Sequence, residues 1–119
     1  MIQVKRIYDQ PRPEDGRRLL VDRLWPRGMK KEAAALDGWL KEVAPSDALR
    51  RWFGHAPDRW DTFCLRYHAE LRANPDAWRP ILDAAATTTV TLLYGAHDSQ
   101  YNNAVALYNF LASEHQPHT

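Results

Sequence analysis

The clearest structural pattern in this chain is Thr89-Val90-Thr91-Leu92-Leu93-Tyr94, a short run of β-branched, apolar and aromatic residues that ends at Gly95. This composition predicts a buried β-strand. A second apolar run, over residues 18–24, predicts a buried central strand. A third strand is predicted at the N-terminus, before a polar loop over residues 9–16, and its apolar residues are Ile2, Val4 and Ile7.

Two helices are predicted between the second strand and the C-terminal run. The first follows Ser46 as its N-cap, because a serine hydroxyl can accept a hydrogen bond from an unpaired amide, and it ends before Gly54. The second runs from Pro57 to about Ala73. Its apolar stripe has helical spacing and contains Trp60, Phe63, Cys64, Tyr67 and Leu71.

Two further helices flank the C-terminal strand. The first covers residues 81–85, with Pro80 expected in its first turn because an interior proline costs about 3 kcal/mol. The second follows Asp98 or Ser99 as its N-cap. Its apolar stripe comprises Ala104, Leu107, Tyr108, Leu111 and Ala112.

Residues 29–43 give no single pattern, because a helix-favouring segment is followed by a glycine-containing one. We leave them unassigned or as a short extra strand. The order of elements predicts one small α/β domain over residues 1–114, with a short parallel or mixed sheet of three to four strands flanked by helices. Residues 115–119 are expected to form a disordered tail.

The composition excludes several classes of protein. The 119 residues fit a single domain, and the net charge of +1 gives no overall field that would attract nucleic acid or an anionic membrane. The N-terminal residues lack the apolar core of a secretory signal, and no run is long enough to span a bilayer, so a cytoplasmic protein is expected. One cysteine and no zinc-type spacing predict neither a disulfide, a metal site nor a bound cofactor.

A basic loop follows the second predicted strand. Its sequence, Asp22-Arg23-Leu24-Trp25-Pro26-Arg27-Gly28-Met29-Lys30-Lys31, holds four cations after its single acid. Arginine can donate two hydrogen bonds to a carboxylate or phosphate, and Gly28 permits close backbone approach. The loop suits a small anionic ligand, although a solvated loop whose arginines pair with internal acids is equally consistent with the pattern.

A second loop, over residues 95–103, joins the C-terminal strand to the last helix. Helix-start amides favour an anion, and His97, Asn102 and Asn103 add polar side chains. The loop lacks the glycine spacing of a nucleotide-binding fingerprint, so the pattern names no nucleotide. The alternative is that these residues only cap the helix.

Parallel strands would bring both loops to one edge of the sheet, together with residues after the first strand. The predicted pocket combines cations, one acid and one imidazole. His97 is a candidate general acid or base, and Asp22 a candidate to orient it or a substrate hydroxyl. An ion pair between Asp22 and a neighbouring arginine is the alternative. The candidate ligand-binding residues are Arg6, Tyr8, Arg23, Arg27, Gly28, Asn102 and Asn103.

Two other functions remain open. A nucleic-acid-binding module would track a phosphate backbone with the loop over residues 23–31, Arg50 and Arg51, and would show steep salt dependence. A non-enzymatic interaction domain would instead place an exposed Trp25 or Trp39 in a partner's pocket.

The segment Leu20-Val21-Asp22-Arg23-Leu24-Trp25-Pro26-Arg27-Gly28 resembles the YeaO-like branch of the domain of unknown function 488 family. The resemblance continues through residues 39–46 and residues 91–94, and it covers nearly the whole chain from Val4 to Leu111. It implies a small cytoplasmic α/β protein of bacterial type. The resemblance supplies no mechanism and no residue roles.

Overall fold

The computed structural model describes residues 1–114, so the predicted tail at residues 115–119 lies outside the described residues. Four strands form one sheet: β1 (Ile2–Arg6), β2 (Arg17–Leu20), β3 (Gly38–Trp39) and β4 (Val90–Tyr94). Their order across the sheet is β1-β4-β2-β3, and every pair is parallel. The predicted α/β class is confirmed, and β3 supplies the short extra strand.

The strand β2 is shorter than its apolar run predicts. Its ladder with β4 ends at Leu20, and the Val21 amide still donates to the Leu93 carbonyl at 3.1 Å. The next residue, Asp22, instead directs its carboxylate to the Gly95 amide. This contact takes the chain out of the ladder, so residues 22–24 belong to a loop rather than to a strand.

Five helices accompany the sheet within residues 1–114. They are α1 (Lys31–Ala34), α2 (Asp47–Phe53), α3 (Trp60–Arg72), α4 (Pro75–Ala85) and α5 (Asn103–Glu114). Short 3₁₀ turns cover Pro13–Asp15, Lys41–Val43 and Pro57–Arg59. The last of these turns forms the beginning of the helix that the sequence predicts from Pro57.

The core divides between the two faces of the sheet. Alternate strand residues point to opposite faces, so Leu19 and Leu92 join the larger cluster while Leu20 and Leu93 join the smaller one. The larger cluster includes residues from α2 to α5, and the smaller includes Ala34 of α1. All of β4 is buried, as expected for a central parallel strand with both faces covered.

The start of α4 differs from the prediction. Pro75, rather than Pro80, occupies the first turn, and Pro80 lies inside the helix. The helix extends toward the N-terminus because Trp78 and Ile81 are both buried, and the Trp78 indole donates to the Leu71 carbonyl at 2.7 Å. These contacts outweigh the backbone hydrogen bond that Pro80 cannot donate.

The N-cap of α5 also differs from the prediction. Asp98 accepts the amides of Gln100 and Tyr101 in a turn that precedes the helix. The Asn102 side chain instead accepts the Val105 amide at 3.0 Å, so Asn102 serves as the cap. Because Asp98 forms an Asx-turn of its own, α5 begins only at Asn103.

Ser46 caps α2 as predicted, accepting the Leu49 amide at 3.2 Å. Glu70 of α3 accepts both the Ser46 amide and its hydroxyl, at 2.9 and 2.6 Å, which ties the start of α2 to α3.

Ser46→Ala is expected to lower the free energy of unfolding by about 1 to 2 kcal/mol, because it removes the cap and one bond to Glu70. Urea denaturation measures the loss. Ser99→Ala is the control, because Ser99 is exposed and its side chain makes no hydrogen bond within residues 1–114. Equal stabilities of the two variants would contradict the role of the cap.

Candidate functional site

A pocket of about 670 Å³ opens at the carboxyl edge of the sheet. Residues after β1, β2 and β4 line it, as the parallel arrangement of the strands requires. Its other wall comes from α2, α3 and the segments around them. Lining residues that carry cationic, imidazole or carboxylate groups are Asp22, Arg23, Arg27, Arg50, His55, His97 and Asp98.

The loop after β2 has a fixed backbone at the rim of this pocket. The Trp25 indole donates to the Met29 carbonyl at 2.7 Å, and the Met29 amide donates to the Pro26 carbonyl at 3.3 Å. Gly28 has φ +75° in this turn, which favours glycine. The Tyr8 hydroxyl donates to the Arg27 carbonyl at 2.7 Å and joins the turn to the end of β1.

The two predicted arginines of this loop differ in their contacts. Arg23 donates to the carbonyls of Ala44 and Pro45 at 3.3 Å, and its guanidinium lies 3.9 Å from the Asp47 carboxylate. It therefore holds the loop against the start of α2. Arg27 is exposed, and its side chain makes no hydrogen bond or ion pair within residues 1–114. Ligand binding by Arg27 stays a prediction.

Asp22 forms a bridge between the ends of β2 and β4. One carboxylate oxygen accepts the Gly95 amide at 2.8 Å, and the Asp22 carbonyl accepts the Trp39 indole at 2.7 Å. Burial raises the pKa of Asp22, although the Gly95 amide, the Asn103 side chain and His55 act to lower it. No arginine forms an ion pair with Asp22 within residues 1–114, so the ion-pair alternative to a site role finds no partner there.

Arg6 and His97 lie side by side at the ends of β1 and β4. The Arg6 guanidinium donates to the Ala96 carbonyl at 3.0 Å, lies 3.5 Å from His97 Nδ1, and packs over the Tyr8 ring. Arg6 itself does not line the pocket. His97 is exposed and lines the pocket, and its role as a general acid or base stays a prediction.

The two predicted asparagines already have partners in the chain. Asn102 is 2% exposed, and while its oxygen caps α5, its amide nitrogen donates to the Asp98 carbonyl at 2.9 Å. The Asn103 amide nitrogen donates to the Val21 carbonyl at 3.0 Å. These bonds fix the helix start beside Asp22, and direct ligand contact by either asparagine stays a prediction.

Sequence reasoning missed part of this site. His55 and Arg50 line the pocket, and Phe53 and Phe63 provide an apolar surface there. His55 has φ +57° and follows Gly54, the left-handed C-cap of α2. No ligand spacing marks His55 in the sequence, because its place in the pocket depends on how α2 packs against the sheet.

The tryptophans of the interaction alternative are half-buried. Trp25 and Trp39 pack edge to face with ring centroids 5.3 Å apart, and both indole nitrogens have partners in the chain. Within residues 1–114, no group of three potential metal ligands comes together, and no helix has the length and apolar character that a bilayer span requires.

The all-parallel sheet with a pocket at its carboxyl edge defines a small protein of the open α/β class. The chain belongs to the DUF488 family, because a family model described as "Inactive DUF488-N3 subclade" matches residues 1–119. The family resemblance predicted from the sequence is confirmed.

Similar proteins support the same placement. "Uncharacterized protein YeaO" of Escherichia coli strain K12 is 44% identical over 112 residues, which are 94% of this chain and 97% of that protein. An uncharacterized protein of Mycobacterium tuberculosis strain H37Rv is 47% identical over 70 residues, 59% of each chain. No solved structure gives a significant match.

Proposed function

We propose that this domain binds a small anionic molecule, such as a phosphate-bearing metabolite, in the pocket at the carboxyl edge of the sheet. The observation that carries the proposal is Arg27. Its guanidinium stands at the pocket rim without an internal partner in residues 1–114, on a loop whose backbone is fixed. Because the loop backbone is already fixed, only the Arg27 side chain loses freedom when it binds a carboxylate or phosphate.

Binding rather than catalysis fits the site better. The description of the matching family model contains the word "inactive". Within residues 1–114, the pocket lining includes no serine, threonine or cysteine that would serve as a nucleophile, and His97 has an arginine rather than a carboxylate beside its Nδ1. The cytoplasmic location expected from the sequence is part of this proposal.

Arg27→Ala is expected to weaken anion binding about tenfold to a hundredfold, because a hydrogen bond to a charged group contributes about 1.5 to 3 kcal/mol. Thermal shift with phosphate, sulfate, carboxylates and nucleotides measures the effect, since a ligand at about 100 times its Kd stabilises by about 2.7 kcal/mol. Arg79→Ala is the matched control, because Arg79 is an exposed arginine on α4 outside the pocket lining.

Unchanged anion binding in Arg27→Ala would overturn the assignment of Arg27. If no small anion stabilises the wild type and short oligonucleotides bind in a salt-sensitive way, the nucleic-acid alternative replaces the proposal. If neither class binds, the interaction alternative through Trp25 or Trp39 is the one to pursue.

A further inference from the structure

Asp22, an acid in the pocket lining, bears on the chemistry of the ligand that the pocket would bind. Asp22 lines a pocket whose other charged groups are mainly cationic or imidazole. Its position is fixed, because the Gly95 amide holds one carboxylate oxygen and the Trp39 indole holds the Asp22 carbonyl. A Cβ at Gly95 would lie 3.2 Å from the carboxylate, so glycine at that position permits the close approach.

The second carboxylate oxygen of Asp22, Oδ1, accepts no backbone amide within residues 1–114. Within residues 1–114, Oδ2 accepts the Gly95 amide, and the Asn103 side chain, whose amide nitrogen donates to the Val21 carbonyl, also lies close enough to favour the charged carboxylate. Asp22 is half-buried and lines the pocket, so its carboxylate can be reached from there. The nearest arginine in sequence, Arg23, directs its guanidinium away toward Pro45 and Asp47.

We infer that the ligand carries, in addition to its anionic group, an amino or hydroxyl group that donates a hydrogen bond to the Asp22 carboxylate. This inference rests on the proposed function. A simple anion placed against Asp22 would meet a like charge, whereas a donor would satisfy the accessible oxygen. The anionic group then meets Arg27, and Arg50 is a further cation of the pocket lining.

The surroundings of the acid and the shape of the pocket agree with such a ligand. Burial raises the pKa of Asp22, and a donor from the ligand would favour the charged carboxylate by adding a hydrogen bond to it. Phe53, Phe63 and Pro26 also line the pocket and offer apolar surface for a short carbon body. The class of ligand is therefore a small amino- or hydroxy-substituted phosphate or carboxylate.

Three phosphate esters of nearly equal size test this inference. 2-Aminoethyl phosphate and 2-hydroxyethyl phosphate carry a terminal donor, and propyl phosphate replaces that donor with a methyl group. The wild type is expected to bind the first two at least tenfold more tightly than propyl phosphate in titration calorimetry. Asp22→Asn is expected to abolish the preference for 2-aminoethyl phosphate over propyl phosphate, because an amide oxygen can keep the Gly95 bond while the amide nitrogen faces the ammonium group of the ligand, and both are donors.

Asp83→Asn on α4, an exposed aspartate outside the pocket lining, is the matched control and should keep the wild-type preference. Equal affinity of the wild type for all three esters would overturn this inference while leaving the proposed anion site intact. Absence of binding by all three esters and by inorganic phosphate would overturn both. The comparison among ligands on the wild type decides the matter even if Asp22→Asn does not fold.

Discussion

Asp15→Ala is expected to lower the free energy of unfolding by about 3 to 5 kcal/mol, the usual cost of removing one partner from a buried ion pair. Asp15 is 4% exposed and Arg18 is also 4% exposed, so the pair lies in the interior near the start of β2. Chemical denaturation at neutral pH measures the loss.

The size of this effect follows from the number of groups that Asp15 satisfies. Its carboxylate meets Arg18 Nη1 at 2.5 Å and Lys5 Nζ at 3.0 Å, and it accepts the Arg12 amide at 3.0 Å. The rest of the Arg18 guanidinium donates to the carbonyls of Ala34 and Ala35 at the end of α1. Without Asp15, two cations remain together with no acid between them, and one of them is buried.

Two variants test whether the loss of stability comes from the buried ion pair or from any substitution in this loop. Asp9→Ala removes an exposed aspartate from the same polar segment and is expected to change stability by less than about 0.5 kcal/mol. Asp15→Ala combined with Arg18→Met removes both buried charges and is expected to recover at least half of the lost stability. A cost for Asp15→Ala no greater than that for Asp9→Ala would contradict the assignment.

The same pair predicts a pH dependence. Burial acts to raise the pKa of Asp15, but the Arg12 amide, Lys5 and Arg18 together hold that pKa below its ordinary value. An acid with a depressed pKa contributes stability that is present above its unfolded pKa, about 3.9, and is lost as the pH falls through its folded pKa. The stability gap between wild type and Asp15→Ala should therefore narrow below about pH 4.

Local sequence patterns made the sheet predictable, together with the position of polar residues at its carboxyl edge. The β-branched and apolar residues of 90–94 and the Gly95 that follows them identify β4 and its end. Once the strands are parallel, the loops after them must meet at one edge, which is why residues as distant as Arg27 and His97 line the same pocket. This inference needs only strand direction and not the details of side-chain packing.

The details that sequence did not predict depend on contacts between distant elements. Asn102 rather than Asp98 caps α5, because Asp98 closes its own turn first. Pro80 is tolerated inside α4 because Trp78 and Ile81 bury their side chains. The burial of the Asp15–Arg18 pair is equally non-local, since acids and arginines in a polar loop ordinarily face water.

Asp15 of the buried pair and Asp22 of the pocket differ in their charged partners. Asp15 is surrounded by cations of the chain itself, and its role is complete without a ligand. Asp22 has no such partner within residues 1–114 and lines an open pocket. Under the proposed function, this contrast favours Asp22 rather than Asp15 as the acid that meets the ligand.

Gly16→Ala is the second substitution expected to have a large effect, with a loss of about 3 kcal/mol or more in the free energy of unfolding. Gly16 has φ +62°, which disfavours any residue with a Cβ, and it precedes β2. A Cβ there would lie 2.1 Å from the Thr89 carbonyl oxygen, the atom that accepts the Arg17 amide at 2.9 Å. Backbone strain of about 1 to 3 kcal/mol then adds to a steric cost of similar size.

Gly28→Ala separates the two contributions. Gly28 has φ +75°, so alanine there also meets the strain of a positive φ, but a Cβ would have no atom within 4 Å. The expected loss is therefore only about 1 to 2 kcal/mol. Thermal unfolding of both variants measures the difference, since about 1 kcal/mol corresponds to about 4 °C in a domain of this size. Equal shifts in Tm would mean that backbone strain accounts for the whole effect at Gly16. The contact between the new Cβ and the Thr89 carbonyl would then contribute no measurable loss of stability.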